Sequence, residues 1–286
     1  ESYFLGRVFD GMPNVAGPDA AADASSLAAR LRSRDGEGPV RAGPVSLEGV
    51  GRTGALPLLL RTLLAETSIP WLRLFYMYPS GITPELVELL AAEDRLLPYL
   101  DMPIQHGADG VLKRMRRPER RSTILERVGW LRDAVPDLSL RTTVIVGFPG
   151  ETEDEFEALL ALLEEVRFDH VGAFEYSEEE DTAAATMPDQ VPEAVRRERL
   201  ERVLDAQRQI AFERNAERVG RRVTVLVDEV DGDDVVARAP WQAPEVDGVV
   251  RLEGANGARP GDFVTVEITD AEEYDLVAVP AGGTHG

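Results

Sequence analysis

Apolar residues in the first two thirds of the chain alternate between short continuous runs and stretches with helical spacing. The continuous runs predict strands at 71–77, 99–104, 140–146 and 170–176, with a possible earlier strand at 45–50. The helically spaced stretches predict helices at 56–66, 84–92, 108–115, 123–134 and 153–166. Strands that alternate with helices of about 12 residues are typical of a parallel α/β sheet or an open barrel.

The pattern changes after a long charged helix predicted over 192–219, which begins at Pro192 and ends before Gly220. Short strands of alternating polarity follow at 223–227, 235–238, 248–252 and 263–268. Asp, Gly and Pro separate them, as in a small all-β barrel. We therefore expect an unassigned segment at 1–44, an α/β unit at 45–219 and a β-barrel domain at 220–280.

The clearest strand–turn–helix unit lies at 139–152. Gly147 and Gly150 follow the strand, and Thr152 and Glu155 have the spacing of a capping box that opens the next helix. Glycines allow a ligand to approach the backbone, and a helix N-terminus offers unpaired N–H groups. The turn is therefore a candidate ligand contact, and an ordinary structural turn remains the alternative.

Charge and cysteine content limit the partners and the reactions that are possible for these residues. The net charge is −21 and Lys113 is the sole lysine, which argues against a broad face for nucleic acid. The sequence has no run of 18 apolar residues and no signal peptide, so we expect a cytoplasmic protein without a membrane span. It also contains no cysteine, which excludes disulfides, thiolate nucleophiles and cysteine-ligated metals within these residues.

Several stretches match one known family in combination. They are Tyr-Leu-Asp-Met-Pro-Ile-Gln-His at 99–106, Val-Leu-Lys-Arg-Met-Arg-Arg at 111–117, Leu-Arg-Thr-Thr-Val-Ile-Val-Gly-Phe-Pro-Gly-Glu-Thr at 140–152, Phe-Glu-Tyr-Ser at 174–177, Ala-Pro-Glu-Val-Asp-Gly at 243–248 and Ile-Thr-Asp-Ala at 268–271. Over residues 56–279 the sequence resembles the radical-SAM methylthiotransferases. Within that family it is more similar to the branch that modifies a ribosomal protein than to the branch that modifies tRNA.

The resemblance implies a partial (β/α) barrel of six strands, open on one side, followed by an OB-like TRAM β-barrel. It also implies S-adenosyl-L-methionine and two [4Fe-4S] clusters as cofactors. The family's reaction adds a methylthio group to Cβ of an aspartate in a small-subunit ribosomal protein. The cluster-binding cysteines of the family have no counterpart in these 286 residues. Since iron–sulfur clusters are held by thiolates, we expect the chain to be inactive alone.

Two interpretations of this departure stay open. The chain is either the main part of an enzyme whose cysteines lie on an upstream fragment, or a non-catalytic module that binds the substrate. The resemblance predicts no catalytic or metal-ligating residue here. It does predict contacts with the cofactor, by the backbone turn after the third main strand and by three polar side chains at strand ends. These residues are Gly147, Phe148, Pro149, Gly150 and Glu151 in the turn, Gln105 and His106 just after the second main strand, and Arg141 at the start of the third.

Alternatives apply to the polar residues. Arg141 is expected to bind the cofactor carboxylate, or else to form an ion pair with an acid on a neighbouring strand such as Asp101. Gln105 and His106 follow a strand end, where barrel enzymes place their chemistry, but a satisfied polar pair is the alternative. Tyr76 and Tyr78 end the preceding strand, and core packing is the favoured explanation for them.

Two charged regions indicate which kinds of partner the chain could bind. The chain has one dense basic cluster, which predicts either an anionic partner or a solvated helix face and consists of Lys113, Arg114, Arg116, Arg117, Arg120 and Arg121. The β-barrel segment from Arg221 onward has 5 Arg and 14 Asp or Glu, a net charge of −9. An acidic module repels a tRNA backbone and suits a basic ribosomal protein, so tRNA is the less favoured partner.

Overall fold

The computed structural model describes residues 55–180 and 182–282. The segment 1–44 and the possible strand at 45–50 lie outside this part of the chain. The helices are α1 (Ala55–Glu66), α2 (Pro84–Ala92), α3 (Asp109–Arg114), α4 (Arg121–Ala134), α5 (Glu153–Val166) and α6 (Glu193–Ala216). The strands are β1 (Leu72–Leu74), β2 (Leu96–Asp101), β3 (Ser139–Val146), β4 (His170–Glu175), β5 (Arg222–Asp231), β6 (Asp234–Arg238), β7 (Val250–Leu252), β8 (Phe263–Ala271) and β9 (Leu276–Pro280).

Strands β1 to β4 form a parallel sheet in chain order, and helices separate successive strands. This arrangement confirms the α/β class predicted from the alternation of strands and helices. In β3, Leu140 and Val144 are fully buried in the core beneath the helices, whereas Thr143 and Ile145 are half-buried on the opposite face. That second face carries the polar side chains on which the candidate site depends.

Strand β2 begins earlier than the sequence pattern predicted. The predicted strand started after Pro98, but Pro98 lies inside β2. Its position coincides with an irregularity in the pairing of β1 with β2, where Leu72 pairs with Leu96 and Leu74 pairs with Leu100. A proline lacks the N–H of a regular ladder and is tolerated at such a bulge.

Strand β1 is shorter than predicted. It ends at Leu74, and the backbone of Tyr76 has φ of 56°, in the left-handed region. A residue with this conformation cannot continue a strand, which is why the aromatic run at 71–77 yields three strand residues instead of seven.

Strands β5 to β9 form a closed barrel in the order β5-β6-β7-β9-β8, as the predicted all-β module required. Its core contains fully buried aliphatic side chains from all five strands, including Val225, Ala237, Val250, Ile268 and Ala278. The sequence pattern missed β9, which completes closure by pairing parallel with β7 and antiparallel with β8.

The barrel contacts the sheet through the segment between β6 and β7. The side chain of Asp247 in this segment is fully buried and accepts hydrogen bonds from the Tyr99 hydroxyl at 2.9 Å and from Arg141 Nη1 at 2.7 Å. The Arg73 Nη1 atom donates to the Pro240 carbonyl oxygen at 3.0 Å. The Arg141 contact lies near the amino end of β3, away from the carboxyl ends of β3 and β4.

Candidate functional site

An open cleft of about 640 Å³ lies at the carboxyl ends of β3 and β4. This is the end at which parallel α/β enzymes place their binding residues. Its walls are mainly apolar, and the residues that the argument below uses are Gln105, Thr143, Ile145, Phe148 and Phe174. A smaller recess of about 130 Å³ adjoins it and shares Gln105, Arg117 and Thr143 with it. We call the two together the strand-end mouth.

Strained backbone marks this mouth. Tyr76, Gln105 and Arg116 have φ of 56°, 67° and 57°, and each lines the cleft or the recess. Left-handed conformations are costly for residues with a Cβ and persist only where the surrounding structure holds them. Gln105 is held by a β-bridge to Val144, since its N–H bonds to the Thr143 carbonyl and its carbonyl accepts from Ile145. Such clustering motivates a functional assignment for the mouth.

Polar groups in the mouth are free to meet a ligand. Within the part of the chain that the structure describes, the Gln105 amide and the Thr143 hydroxyl make no hydrogen bond. Ile145 and Phe148 supply apolar surface beside them, and Phe174 is 58% exposed. A few unpaired polar groups on a mainly apolar wall are typical of sites that bind small molecules.

The basic cluster is divided between internal pairs and free cations. Arg114 binds the Glu155 carboxylate at 2.6 Å, and Arg121 binds Glu165 at the same distance. Arg117 instead stacks on the Tyr78 ring, with its guanidinium carbon 5.0 Å from the ring centroid. Among the described residues, no acid pairs with Arg117, which faces both parts of the mouth.

The turn after β3 is built differently from the expectation. Glu151 Oε2 accepts from the backbone N–H groups of Gly147 at 2.7 Å and Phe148 at 3.2 Å, so these donors are not available to a ligand. Gly147 has φ of 73°, and a Cβ there would collide with the Arg196 side chain. The lack of a side chain at Gly147 therefore makes room for Arg196 of α6. The Phe148 side chain is the part of the turn that faces the cleft.

The two remaining turn residues do not line the cleft. Pro149 is buried, and the Gly150 N–H donates to the carbonyl oxygen of Asp189 at 2.8 Å. Their role as cofactor contacts stays a prediction that the geometry does not favour.

His106 does not reach the mouth. Its ring is fully buried, and Nδ1 accepts from the Ala108 N–H at 3.0 Å. Its Nε2 lies 3.6 Å from Glu151 Oε2 behind the turn. His106 is therefore an interior residue whose Nε2 has no hydrogen-bond partner among the described residues, and only Gln105 of the predicted pair faces the cleft.

Arg141 lies near the start of β3, at the opposite end from the mouth. Its guanidinium binds Asp247 of the barrel at 2.7 Å and lies 3.9 Å from Asp101. The ion-pair alternative thus describes its position, although the principal acid comes from the barrel. Burial acts to lower the pKa of Arg141, whereas the negative charges nearby, chiefly that of Asp247, act to raise it. The net effect is a raised pKa.

Sequence reasoning missed Thr143, Ile145 and Phe174 as site residues. The alternation of buried and half-buried positions along β3 identifies the face that carries the first two, since side chains of a strand alternate between faces. Phe174 pairs with Ile145 in the register of β3 and β4, which the sequence alone does not provide.

The residues present do not fit an iron–sulfur cluster. The whole sequence contains no cysteine, and the described part of the chain contains no group of three His, Asp or Glu placed to hold a metal ion. Among the same residues, no helix is long and apolar enough to cross a bilayer. Any thiolates for a cluster would have to come from outside residues 1–286.

Comparison with known families now adds to the geometry. Residues 50–163 match the Radical SAM superfamily and residues 219–280 match the TRAM domain. The fold and these matches define the class: a radical-SAM α/β unit joined to a TRAM barrel. Coproporphyrinogen III oxidase (HemN) from Escherichia coli, a radical SAM enzyme, covers 65% of this chain with a TM-score of 0.43 and 16% identity, a likeness too weak to bear on the fold.

Curated relatives carry the name ribosomal protein uS12 methylthiotransferase RimO. The relative from Azoarcus sp. (strain BH72) is 48% identical over 219 residues, which are 77% of this chain and 49% of the relative. The relative from Desulforudis audaxviator (strain MP104C) is 44% identical over 274 residues, 93% of this chain and 61% of the relative. The two domain matches and these identities together support a RimO-type radical-SAM methylthiotransferase. It spans about half the length of most of the curated relatives it matches.

Proposed function

We propose that this chain is the part of a methylthiotransferase that holds S-adenosylmethionine and presents a ribosomal protein of the uS12 type for modification. The observation that carries the proposal is the pairing of a radical-SAM unit with a TRAM domain at 44–49% identity to the uS12 methylthiotransferases. The methylthio transfer itself would require cluster-binding thiolates from outside these residues.

The strand-end mouth supports the cofactor part of the proposal. Gln105 and Thr143 would meet the polar edge of the adenosyl group, and Ile145 and Phe148 would cover its apolar faces. Bound there, S-adenosylmethionine would supply the reactive group for the transfer, while the protein orients it and limits access of water. Arg141 and His106 lie away from the mouth, and the Gly147 and Gly150 N–H groups have acceptors within the protein, so the cofactor contacts predicted for these residues stay predictions on which this proposal does not depend.

The barrel supports the partner part of the proposal. Its net charge of −9 attracts a basic protein and repels RNA phosphates. Arg117, which lines both parts of the mouth and pairs with no described acid, would be available to an anionic group of the substrate. A basic protein held by the barrel and an acidic side chain received at the mouth are mutually consistent.

Calorimetric titration of the chain with S-adenosylmethionine tests the cofactor site. We expect Phe148→Ala and Gln105→Ala each to weaken binding by roughly tenfold, since each removes one stacking or hydrogen-bonding contact. Tyr274→Ala, on the barrel and 45% exposed, serves as the matched control and should bind like the unmodified chain. Equal affinity of all variants would contradict the assignment of the mouth.

Co-sedimentation with purified uS12 tests the partner. We expect retention that falls with salt and no comparable retention of tRNA. The opposite result, with tRNA retained and uS12 not, would overturn the choice of partner while leaving the cofactor site standing. Anaerobic incubation with iron and sulfide provides a further check, because assembly of a cluster on this chain would contradict the conclusion that its residues hold none.

A further inference from the structure

A second cavity, of about 490 Å³, lies between the sheet and the barrel near the amino ends of β1 and β2. We call it the junction cavity. Its wall from the α/β unit includes Trp71 and Leu97, and its wall from the barrel includes Leu226 and Phe263. The Trp71 and Phe263 rings pack edge to face with centroids 5.1 Å apart. The cavity is therefore separate from the strand-end mouth and has a mainly apolar lining.

Arg73 is the polar residue that makes this cavity unusual. Its side chain lines the cavity, and the residue is 3% exposed. Nη1 donates to the Pro240 carbonyl oxygen at 3.0 Å, and the guanidinium carbon lies 4.4 Å from the centroid of the Tyr99 ring. Nε and Nη2 have no hydrogen-bond partner among the described residues. Buried donors without a partner are costly and rare in folded proteins.

The two unpaired donors share one edge of the guanidinium. Nε–H and the adjacent N–H of Nη2 point in parallel, which is the arrangement that binds both oxygens of a carboxylate. Burial lowers the pKa of Arg73 to about 10, so the side chain stays protonated near neutral pH. The edge thus carries two buried, charged donors on a side chain that lines the cavity.

The acids around the cavity are engaged elsewhere or solvated. Asp228 is paired with Arg238, and Glu245 is exposed at the rim. Asp247 is occupied by Tyr99 and Arg141. No described acid is hydrogen-bonded to Arg73, so Nε and Nη2 lack a carboxylate partner among the described residues.

We propose that the junction cavity binds a carboxylate that carries an apolar body, with the carboxylate on the Nε–Nη2 edge of Arg73 and the body against Trp71 and Phe263. A free aromatic or branched acid and the C-terminal residue of a peptide share this chemistry. The proposal concerns a site apart from the mouth and does not rest on the proposed function. Occupation of this site would join the sheet to the barrel through a ligand that touches both.

Trp71 provides a direct readout, because it lies in the wall of the cavity. The probes are 3-phenylpropionate, as a free acid, and N-acetylphenylalanine, as a mimic of a peptide C-terminus; each is paired with its uncharged amide. We expect at least one acid to cause a saturable change in tryptophan fluorescence. Its amide should bind roughly tenfold more weakly, because the amide cannot form the charge-assisted hydrogen bonds of a carboxylate. Trp71→Phe should abolish the fluorescence change and leave calorimetric binding of that acid measurable.

Two variants locate the site. Arg73→Met should remove the preference for acid over amide, and Leu226→Trp should block both by filling the cavity from the barrel side without altering Arg73. Arg202→Met, on the exposed face of α6, is the matched control and should keep the preference. If Arg73→Met does not fold, the result for Leu226→Trp decides.

The possible outcomes distinguish the two kinds of ligand, and some of them would contradict the proposal. Binding of N-acetylphenylalanine alone indicates a peptide terminus, and binding of 3-phenylpropionate as well indicates a free acid. Equal binding of acids and amides would show that Arg73 does not recognise the carboxylate, and binding of the acids undiminished by Leu226→Trp would place the ligand elsewhere. The absence of saturable binding at millimolar concentrations would show that the cavity holds water only. Each of these results would overturn the proposal.

Discussion

Glu151 shows how one buried carboxylate can organise a turn. It accepts from the N–H groups of Gly147 and Phe148, and its other oxygen binds Arg199 Nη1 at 3.0 Å. Arg199 is itself buried and also binds the exposed Glu153. The carboxylate therefore joins the turn after β3 to α6 and fixes the backbone from which Phe148 projects into the mouth.

Glu151→Gln should lower the free energy of unfolding by about 2–3 kcal/mol, because it leaves the buried Arg199 with a neutral partner. Urea titration measures the loss. Glu193→Gln is the control, since Glu193 pairs with Arg197 on the exposed surface and such pairs contribute about 0–1 kcal/mol. Equal losses in the two variants would show that the Glu151 contacts are not the support of the turn.

Asp101 makes stability depend on pH. Burial raises its pKa from the ordinary 3.8 to about 6, against the lowering effects of the Tyr76 N–H and Arg141. A carboxyl group with a raised pKa in the folded state stabilises the fold while protonated. That stability is present below about pH 4 and is lost as the pH rises through about 6.

Asp101→Asn should therefore gain stability over the unmodified chain as the pH rises. The amide keeps an acceptor for the Tyr76 N–H without the charge. We expect the difference in free energy of unfolding to grow by on the order of 2 kcal/mol between about pH 4 and about pH 7. Urea titrations of both proteins at several pH values measure it. A difference that does not change with pH would show that Asp101 is ionised throughout.

Prediction from the sequence was least successful for the positions and partners of individual residues. Gln105 and Phe148 line the mouth as expected, because strand ends and turns after strands can be located from the hydrophobic pattern. The partner of Arg141 could not be found this way, since Asp247 is 106 positions away and belongs to a different part of the fold. The orientation of His106 likewise depends on the three-dimensional position of Ala108 and Glu151, which periodicity does not encode.

At the level of elements, the helix that follows the turn was predicted with its bounds. α5 runs over Glu153–Val166, and Thr152 and Glu155 form the expected capping box. Glu155 also binds Arg114, so the cap ties α5 to α3 beside the mouth. A strong apolar period and a local cap made this element predictable, whereas β1 and β2 depended on backbone irregularities that only tertiary pairing imposes.

Thr152→Ala should cost about 1 kcal/mol of stability, the usual effect of removing an N-cap side chain. The Glu155 N–H would lose its acceptor at 3.2 Å. Ser122→Ala is the matched control, because Ser122 lies exposed in the first turn of α4 and its hydroxyl makes no hydrogen bond to another described residue. Thermal unfolding of the two variants gives the comparison, and an unchanged Thr152→Ala protein would show that the cap contributes nothing.

At the level of the whole molecule, the sheet and the barrel share a buried polar junction. Asp247 receives hydrogen bonds from Tyr99, Arg141 and the Ala243 N–H. Burial and the nearby Asp247 charge raise the pKa of Tyr99. The two parts are therefore coupled, although the division of the chain near Gly220 remains a prediction about separately folding domains.

Asp247→Ala should uncouple the two parts. Removal of one partner from a buried ion pair typically costs about 3–5 kcal/mol, and Arg141 would be left near Asp101 alone. We expect calorimetry to show a single unfolding transition in the unmodified chain and two in the variant. Glu267→Ala, which breaks an exposed pair with Arg222 inside the barrel, should keep a single transition. A single transition in both variants would show that the junction is not the link.

The position of Asp247 in the chain also has a consequence for synthesis. The last sheet strand ends at Glu175, so translation must add about 70 further residues before Asp247 exists to neutralise Arg141. At typical elongation rates this interval is roughly 4–14 s. During that time the nascent sheet exposes a charged, incompletely covered end, so a translational pause or a bound chaperone would act in this window.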